Sequence, residues 1–334
     1  MRAVVAGAET LLGKDLCDWL AERAPEIKVK RYSGSDEAIL TGGDEEAGVI
    51  TPLEEETLRG ADLVFLAGSA DTARHAFDLT ARDAVPPALI DLSHGLEALP
   101  EAQIRAPLAE PDGWTPVSGR VHVIAHPAAI ALGIFLGRLV QRHRIRGVVA
   151  TVLEPASERG RRGVDELQKQ TIQLLSFRSL PQEVFDAQLS FNLLPRYGTE
   201  APEALESFEL RMDRHLATLA SRFGGLPMPS IRLAQAPVFH GHSISVWVEF
   251  ESRPSAAELG ATLADSAIEL RSGDVEPPCN TAVANQCGIA MDTPEIDRTH
   301  PRGAWFWIVA DNHRLMSENA VLAARALPAR KAAL

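Results

Sequence analysis

The sequence predicts an α/β protein in two parts: a doubly wound parallel sheet over about the first 125 residues, then a second α+β domain. Three observations carry this. Residues 61–68 (ADLVFLAG), 88–91 (ALID) and 121–124 (VHVI) are short, mostly apolar runs that end near Gly or Asp, as strands buried on both sheet faces do. Helical stretches separate these runs, which is the rhythm of parallel strands joined by crossovers. Residues 230–238 and 243–250 instead alternate apolar and polar side chains with period two, which suits a sheet with one buried face.

The elements follow in order. Residues 3–6 form a short buried strand that runs into a glycine turn, Gly7 to Gly13, and then a helix with Leu12, Leu16, Trp19 and Leu20 on one face. Residues 27–32 form a second strand in which lysines alternate with apolar residues. In the second part, residues 147–152 are β-rich and precede a Gly-containing turn and a helix over 164–175. Ser255-Ala-Ala-Glu258 is a capping box that opens a helix with Leu259 and Leu263 on its apolar side. The Gly/Pro-rich stretch from 277 to 303 reads as loop, 305–309 as strand, and 315–327 as a closing helix.

Composition excludes several classes. The 334 residues carry 33 Lys+Arg against 45 Asp+Glu, a net charge of -12, and this acidic balance with 5% aromatics argues against nucleic acid as a partner. The longest apolar stretch, 123–140, contains His126, Pro127 and Arg138, so no membrane span is expected. Only three cysteines (Cys17, Cys279 and Cys287) and no apolar leader at the N-terminus point to a reducing, cytoplasmic setting.

Several residues are candidates for chemistry. The glycine turn has two readings: a seat for a dinucleotide pyrophosphate at a helix N-terminus, or a tight turn that packs helix on sheet. The second strand lacks the acidic residue that would bond a ribose hydroxyl, while Arg31, Ser33 and Ser35 suit a 2′-phosphate, favouring NADP over NAD. His240 and His242 fall on one face of a strand, with His126 or His313 as a third imidazole. No Cys or carboxylate at ligand spacing accompanies them, so no metal is expected. Cys279 reads as an ordinary loop thiol rather than a relocated nucleophile, and Arg159-Gly-Arg-Arg162 as a solvated basic turn.

Seven segments in order, AVVAGAETLLG, ADLVFLAGSADTA, ALIDLSHGL, VIAHPAAIAL, EPASERGRRGVDEL, APVFHGHSISVWVEF and VADNHRLMSENAVLAA, resemble the aspartate-semialdehyde dehydrogenases, and most of all their cysteine-less Usg-type paralogues. The resemblance implies a Rossmann-type NAD(P)-binding domain over 1–126 and 315–334, and a semialdehyde dehydrogenase dimerisation domain over 127–314. It also implies a chemistry: a cysteine thiolate adds to the aldehyde, hydride passes to NADP, and phosphate cleaves the thioester, which demands a nucleophile, a base and cations for the anionic substrate.

Residue by residue, those demands are unevenly met. The family's N-P-N-C reads His126-Pro127-Ala128-Ala129, so Ala129 stands where the nucleophile would be; losing a nucleophile costs on the order of 10⁶ in turnover in a serine protease. His242 matches the catalytic histidine. Gln235 and Glu97 stand at the two substrate-binding arginine positions, a change of about three charge units at an anion site. In the family's G-A-T-G-x-x-G, Gly7 and Gly13 remain while Thr10 replaces the middle glycine, preceded by Glu9. Gly68, Ser157, Gly160 and Asn312 fall at other cofactor-binding positions, and Glu154 at a glutamine position. The resemblance therefore implies a homodimer with a binding or regulatory role, alone or in hetero-association with an active paralogue, without phosphorylating dehydrogenase activity and with NADP binding weakened or lost. The alternative is an NADP-dependent oxidoreductase working by direct hydride transfer, with His242 as acid/base.

Overall fold

The computed structural model describes residues 1–35, 38–41, 48–83, 85–117 and 119–327. Residues 328–334, assigned above to the first domain, lie outside the described residues. The chain forms two compact units: one takes 1–107, 113–125 and the segment from 316, the other 108–112 and 126–315.

The first unit contains β1 (Arg2–Ala6), α1 (Leu11–Arg23), β2 (Lys28–Tyr32), β3 (Ile39–Thr41), β4 (Gly48–Ile50), α2 (Glu55–Leu58), β5 (Leu63–Leu66), α3 (Ala70–Thr80), β6 (Ala88–Asp91), β7 (Gln103–Arg105) and β8 (Val121–Ile124). Its six-stranded sheet runs β2-β1-β5-β6-β8-β7, and every pair is parallel. The strands with continuous apolar sequences are the central ones: β5 and β8 are buried at every residue, while lysine-bearing β2 lies at the edge. Leu16, Trp19 and Leu20 of α1 are buried, as their spacing demands.

The second unit contains α4 (Pro127–Val140), β9 (Ile145–Glu154), α5 (Gly160–Leu175), α6 (Leu205–Ala220), β10 (Ser230–Gln235), β11 (His242–Phe250), α7 (Ala256–Leu263), β12 (Ile268–Arg271), β13 (Ile289–Asp292), β14 (Glu295–Ile296) and β15 (Gly303–Ala310). A last helix, α8 (Asn312–Arg325), begins here, and the division between units falls within it. The sheet runs β10-β9-β11-β15-β13-β12, with β14 also on β15. Val148, Ala150 and Val152, then Ile244, Val246 and Val248, then Ala304, Phe306 and Ile308 form its buried face, beneath α4. The Phe135 ring of α4 meets Phe306 edge-on at 4.7 Å. The opposite face carries exposed Val149, Trp305 and Trp307 beside half-buried Trp247. Both the Trp247 and Trp305 indoles donate to one carboxylate oxygen of Asp297, at 2.9 and 3.0 Å.

One reading of the sequence is corrected, and two helices are added to it. The apolar stretch after Ala125 is a helix, α4, buried all round; with no polar face it shows no helical period. Residues 277–303 are not all loop, because β13 and β14 form there by pairing with β15, a contact set by tertiary structure rather than local propensity. Helix α6 was not foreseen, although Leu205, Phe208, Met212, Leu216 and Leu219 mark its buried stripe.

Gly7 has φ +86°, and a β-carbon there would fall 2.3 Å from Gly68 Cα. Gly7→Ala is therefore expected to cost at least about 2 kcal/mol, read as a lower urea midpoint at unchanged m; an unchanged midpoint would show that the turn can relax.

Candidate active-site remnant

The site grows from the N-terminus of α4. His126 caps the helix, its Nδ1 accepting the Ala128 N–H at 3.3 Å, and Pro127 takes the first helical position, where a missing N–H leaves nothing unsatisfied. The His126 N–H donates to His215 Nδ1 on α6 at 2.9 Å. Ala129, in the first turn, is fully buried and offers only a methyl group.

The neighbouring strands bring two more groups. β9 ends at Glu154 and β11 begins at His242; Ser243 pairs with Leu153 across this antiparallel ladder, so residue 242 comes opposite residue 154. Glu154 Oε2 lies 3.6 Å from His126 Nε2 and 3.8 Å from His242 Nε2, and the two imidazoles meet edge-on at 5.5 Å. Glu158 Oε2 stands 3.7 Å from His126 Nε2. All three central side chains are buried, and neither ring nitrogen of His242 makes a hydrogen bond. Burial pushes the His242 pKa below its ordinary value, against the pull of Glu158.

The other oxygen of Glu154 pairs with the buried Arg159 guanidinium, which lies over the Phe208 ring and donates to Tyr197 Oη at 3.0 Å. Tyr197 Oη in turn donates to Gln235 Oε1 at 2.6 Å, and Gln235 Nε2 donates to the Glu154 carbonyl at 2.7 Å. Gln235 is thus a link in a closed hydrogen-bond chain. Asn312 joins Gly241 N–H at 2.9 Å, Ser157 Oγ at 3.0 Å and Glu158 Oε1 at 2.7 Å. Ser157 and Asn312 are therefore together; Gly160, with φ +61°, opens α5 just after Ser157.

The remaining candidates belong to the first unit, where the glycine turn is closed by its own side chains. Thr10 caps α1, accepting the Gly13 N–H at 2.9 Å and donating to Ala67 O at 2.8 Å. Glu9 accepts the Gly34 N–H, at 3.0 Å through Oε1. A carboxylate beside the helix N-terminus and the end of β2 does not fit a cofactor whose phosphates need those positions. Arg31 projects from exposed β2, Ser33 is buried with its hydroxyl 2.9 Å from that of Ser35, and Gly68 meets Gly7 backbone to backbone. Glu97 follows β6 in a turn organised by buried Asp91, which accepts from Ser93 and Leu96.

Three expectations about the histidines and arginines fail. His240 does not share a strand face with His242: it precedes β11 across Gly241, at φ +82°, and its ring meets His313 at 5.5 Å. A carboxylate does accompany the histidines, since Glu154 reaches His242 across the ladder. Arg159 is no solvated turn residue but the buried partner of Glu154. Cys279 Sγ turns to Thr281 Oγ1 at 3.3 Å, although the adjacent Asn280 bonds Gly241 O. Tyr197, His215 and Glu158 were missed; alone in the sequence, none carries a motif.

Burial and neighbouring His240 hold the His313 pKa down to about 4, from an ordinary 6.5. Between these values the unfolded chain binds the extra proton, so this stability is lost as pH falls from 6.5 towards 4. Urea midpoints are expected to drop across that window, and less steeply in His313→Gln; equal slopes would show that His313 is not held neutral.

Residues 136–315 match the family model described as semialdehyde dehydrogenase, dimerisation domain. A USG-1 protein homologue of Azotobacter vinelandii is 31% identical over 264 residues, 75% of this chain and 73% of that protein, and one of Pseudomonas aeruginosa is 29% identical over 94% of this chain and 93% of its own length. An aspartate-semialdehyde dehydrogenase of Rickettsia bellii is 29% identical over 198 residues, 58% of each chain. Among solved structures, a probable aspartate-semialdehyde dehydrogenase from Pseudomonas aeruginosa superposes with a TM-score of 0.83 at 25% identity, covering 97% of both chains. The Candida albicans enzyme, solved with NADP, shares the fold at a TM-score of 0.64 and 14% identity over 98% of this chain and 99% of that one. With more than half its length matched by the family model, this chain belongs to the semialdehyde dehydrogenase family, alongside aspartate-semialdehyde dehydrogenases and USG-1 homologues.

Proposed function

We propose that this chain is a homodimeric binding or regulatory member of the family that does not carry out phosphorylating dehydrogenation. The observation that carries the proposal is Ala129: it is fully buried at the nucleophile position and offers no atom that could form a thioester. The cysteines stand in other elements: Cys17 in α1, its thiol pushed up to about 11 by burial, and Cys279 and Cys287 between β12 and β13, where the bond to Thr281 holds the Cys279 thiol below its ordinary pKa. The two substrate arginine positions are Gln235, held by Tyr197 and the Glu154 carbonyl, and Glu97, an anion. His242 keeps the base position, but its neighbours are Glu154 and a second imidazole rather than a thiol.

Glu9 and Thr10 likewise support weakened or lost NADP binding, which argues against the direct hydride-transfer alternative. Assayed with aspartate semialdehyde, NADP and phosphate, the protein is expected to show no turnover above background, and calorimetry no NADPH binding tighter than about 1 mM. Turnover at ordinary enzyme rates would overturn the proposal.

A second copy of the chain is the partner proposed for the open face of the sheet. Trp247 stands opposite both Trp305 and Val149 in register, which makes a contiguous apolar patch within the residues matched by the dimerisation-domain model. Sedimentation is expected to give a dimer, with Trp305→Glu shifting it to monomer; a wild-type monomer at micromolar concentration would reject this partner.

A further inference from the structure

We propose that His126, Glu154 and His242 bind a single first-row divalent cation of the zinc type, through the two Nε2 atoms and Glu154 Oε2. This names a ligand for the binding role proposed above; the loss of dehydrogenase activity stands or falls separately.

Geometry comes first. The three ligand atoms lie within 4.8 Å of one another, and the two approaches to the carboxylate, 3.6 and 3.8 Å, are close to the separation of about 3.3 Å that tetrahedral zinc ligands require. The ligands come from a helix N-cap and two adjoining strand ends, and these hold them in place without a metal.

The chemistry agrees. Glu154 Oε2 and His242 Nε2, 3.8 Å apart, are both buried and make no hydrogen bond, so two polar atoms face one another without being satisfied by the chain. The outer oxygen of Glu154 is held by Arg159, the kind of outer support that orients a ligating carboxylate. Two imidazoles and a carboxylate with no thiolate suit zinc or its neighbours, and Glu158, 3.7 Å from His126 Nε2, stands beside the open fourth position. Ligation through His126 Nε2 places the ring proton on Nδ1 and gives up the Ala128 contact, which at 3.3 Å is already long for a hydrogen bond.

The competing arrangement is a proton on His126 Nε2 shared between the two glutamates. Chelator-stripped protein, titrated with Zn²⁺ and with Co²⁺ and checked by elemental analysis, distinguishes the two. One equivalent per chain is expected, with Co²⁺ giving the intense visible bands of a four-coordinate site. His242→Ala and Glu154→Gln should each weaken uptake at least about 100-fold, while His240→Ala, at an exposed residue outside the cluster, should leave it unchanged. Circular dichroism establishes that each variant is folded; if either is not, the stoichiometry and Co²⁺ spectrum of the wild-type protein decide. A folded wild-type protein that takes up no metal, or uptake that is lost with His240→Ala, overturns the proposal. The dehydrogenase assay on the same preparations reads the proposed loss of activity independently.

Discussion

A carboxylate buried at the end of a central strand must find a cation, and the interior of the second unit is arranged around that need at Glu154. Arg159 answers it from the turn that follows β9, and the guanidinium is itself desolvated between Glu154, Tyr197 and the face of Phe208. Breaking such a buried pair by removing one partner typically costs about 3–5 kcal/mol, because the remaining charge is stranded. Tyr197 and Gln235 extend the network to the Glu154 backbone, so the strand end, the turn and β10 are tied by one chain of hydrogen bonds. Gln235 is thus bonded on both sides within this network.

The same substitution that demands Arg159 also leaves Glu154 Oε2 facing two imidazoles. A neutral glutamine at this position would need no guanidinium and would offer a weaker acceptor to His126 and His242.

The first unit shows a parallel change on the same physical principle. Helix α1 has N–H groups that attract an anion, and Thr10 and Glu9 supply oxygen acceptors from the chain itself. Each serves the local structure, Thr10 by capping and Glu9 by holding the backbone after β2. The fold keeps the glycines needed for close backbone approach, Gly7 against Gly68.

Much of this was legible in the residues. Continuous apolar runs marked the central strands of the parallel sheet because both faces there are covered, and alternation marked β11 because one face of its sheet is open. Ala129, Thr10, Gln235 and Glu97 could be placed through their motifs, since a resemblance aligns positions one by one. Helix α4 escaped because burial all round erases its period, and β13 and β14 because their pairing with β15 creates them. The sequence by itself determined the fold class and the family resemblance, both of which depend on local pattern. Only the tertiary structure decided that His242 meets Glu154 and His126 rather than His240, and that Arg159 is buried. Those outcomes depend on strand register and on side chains distant in sequence, where charge must be matched within a few ångströms and spacing along the chain says nothing.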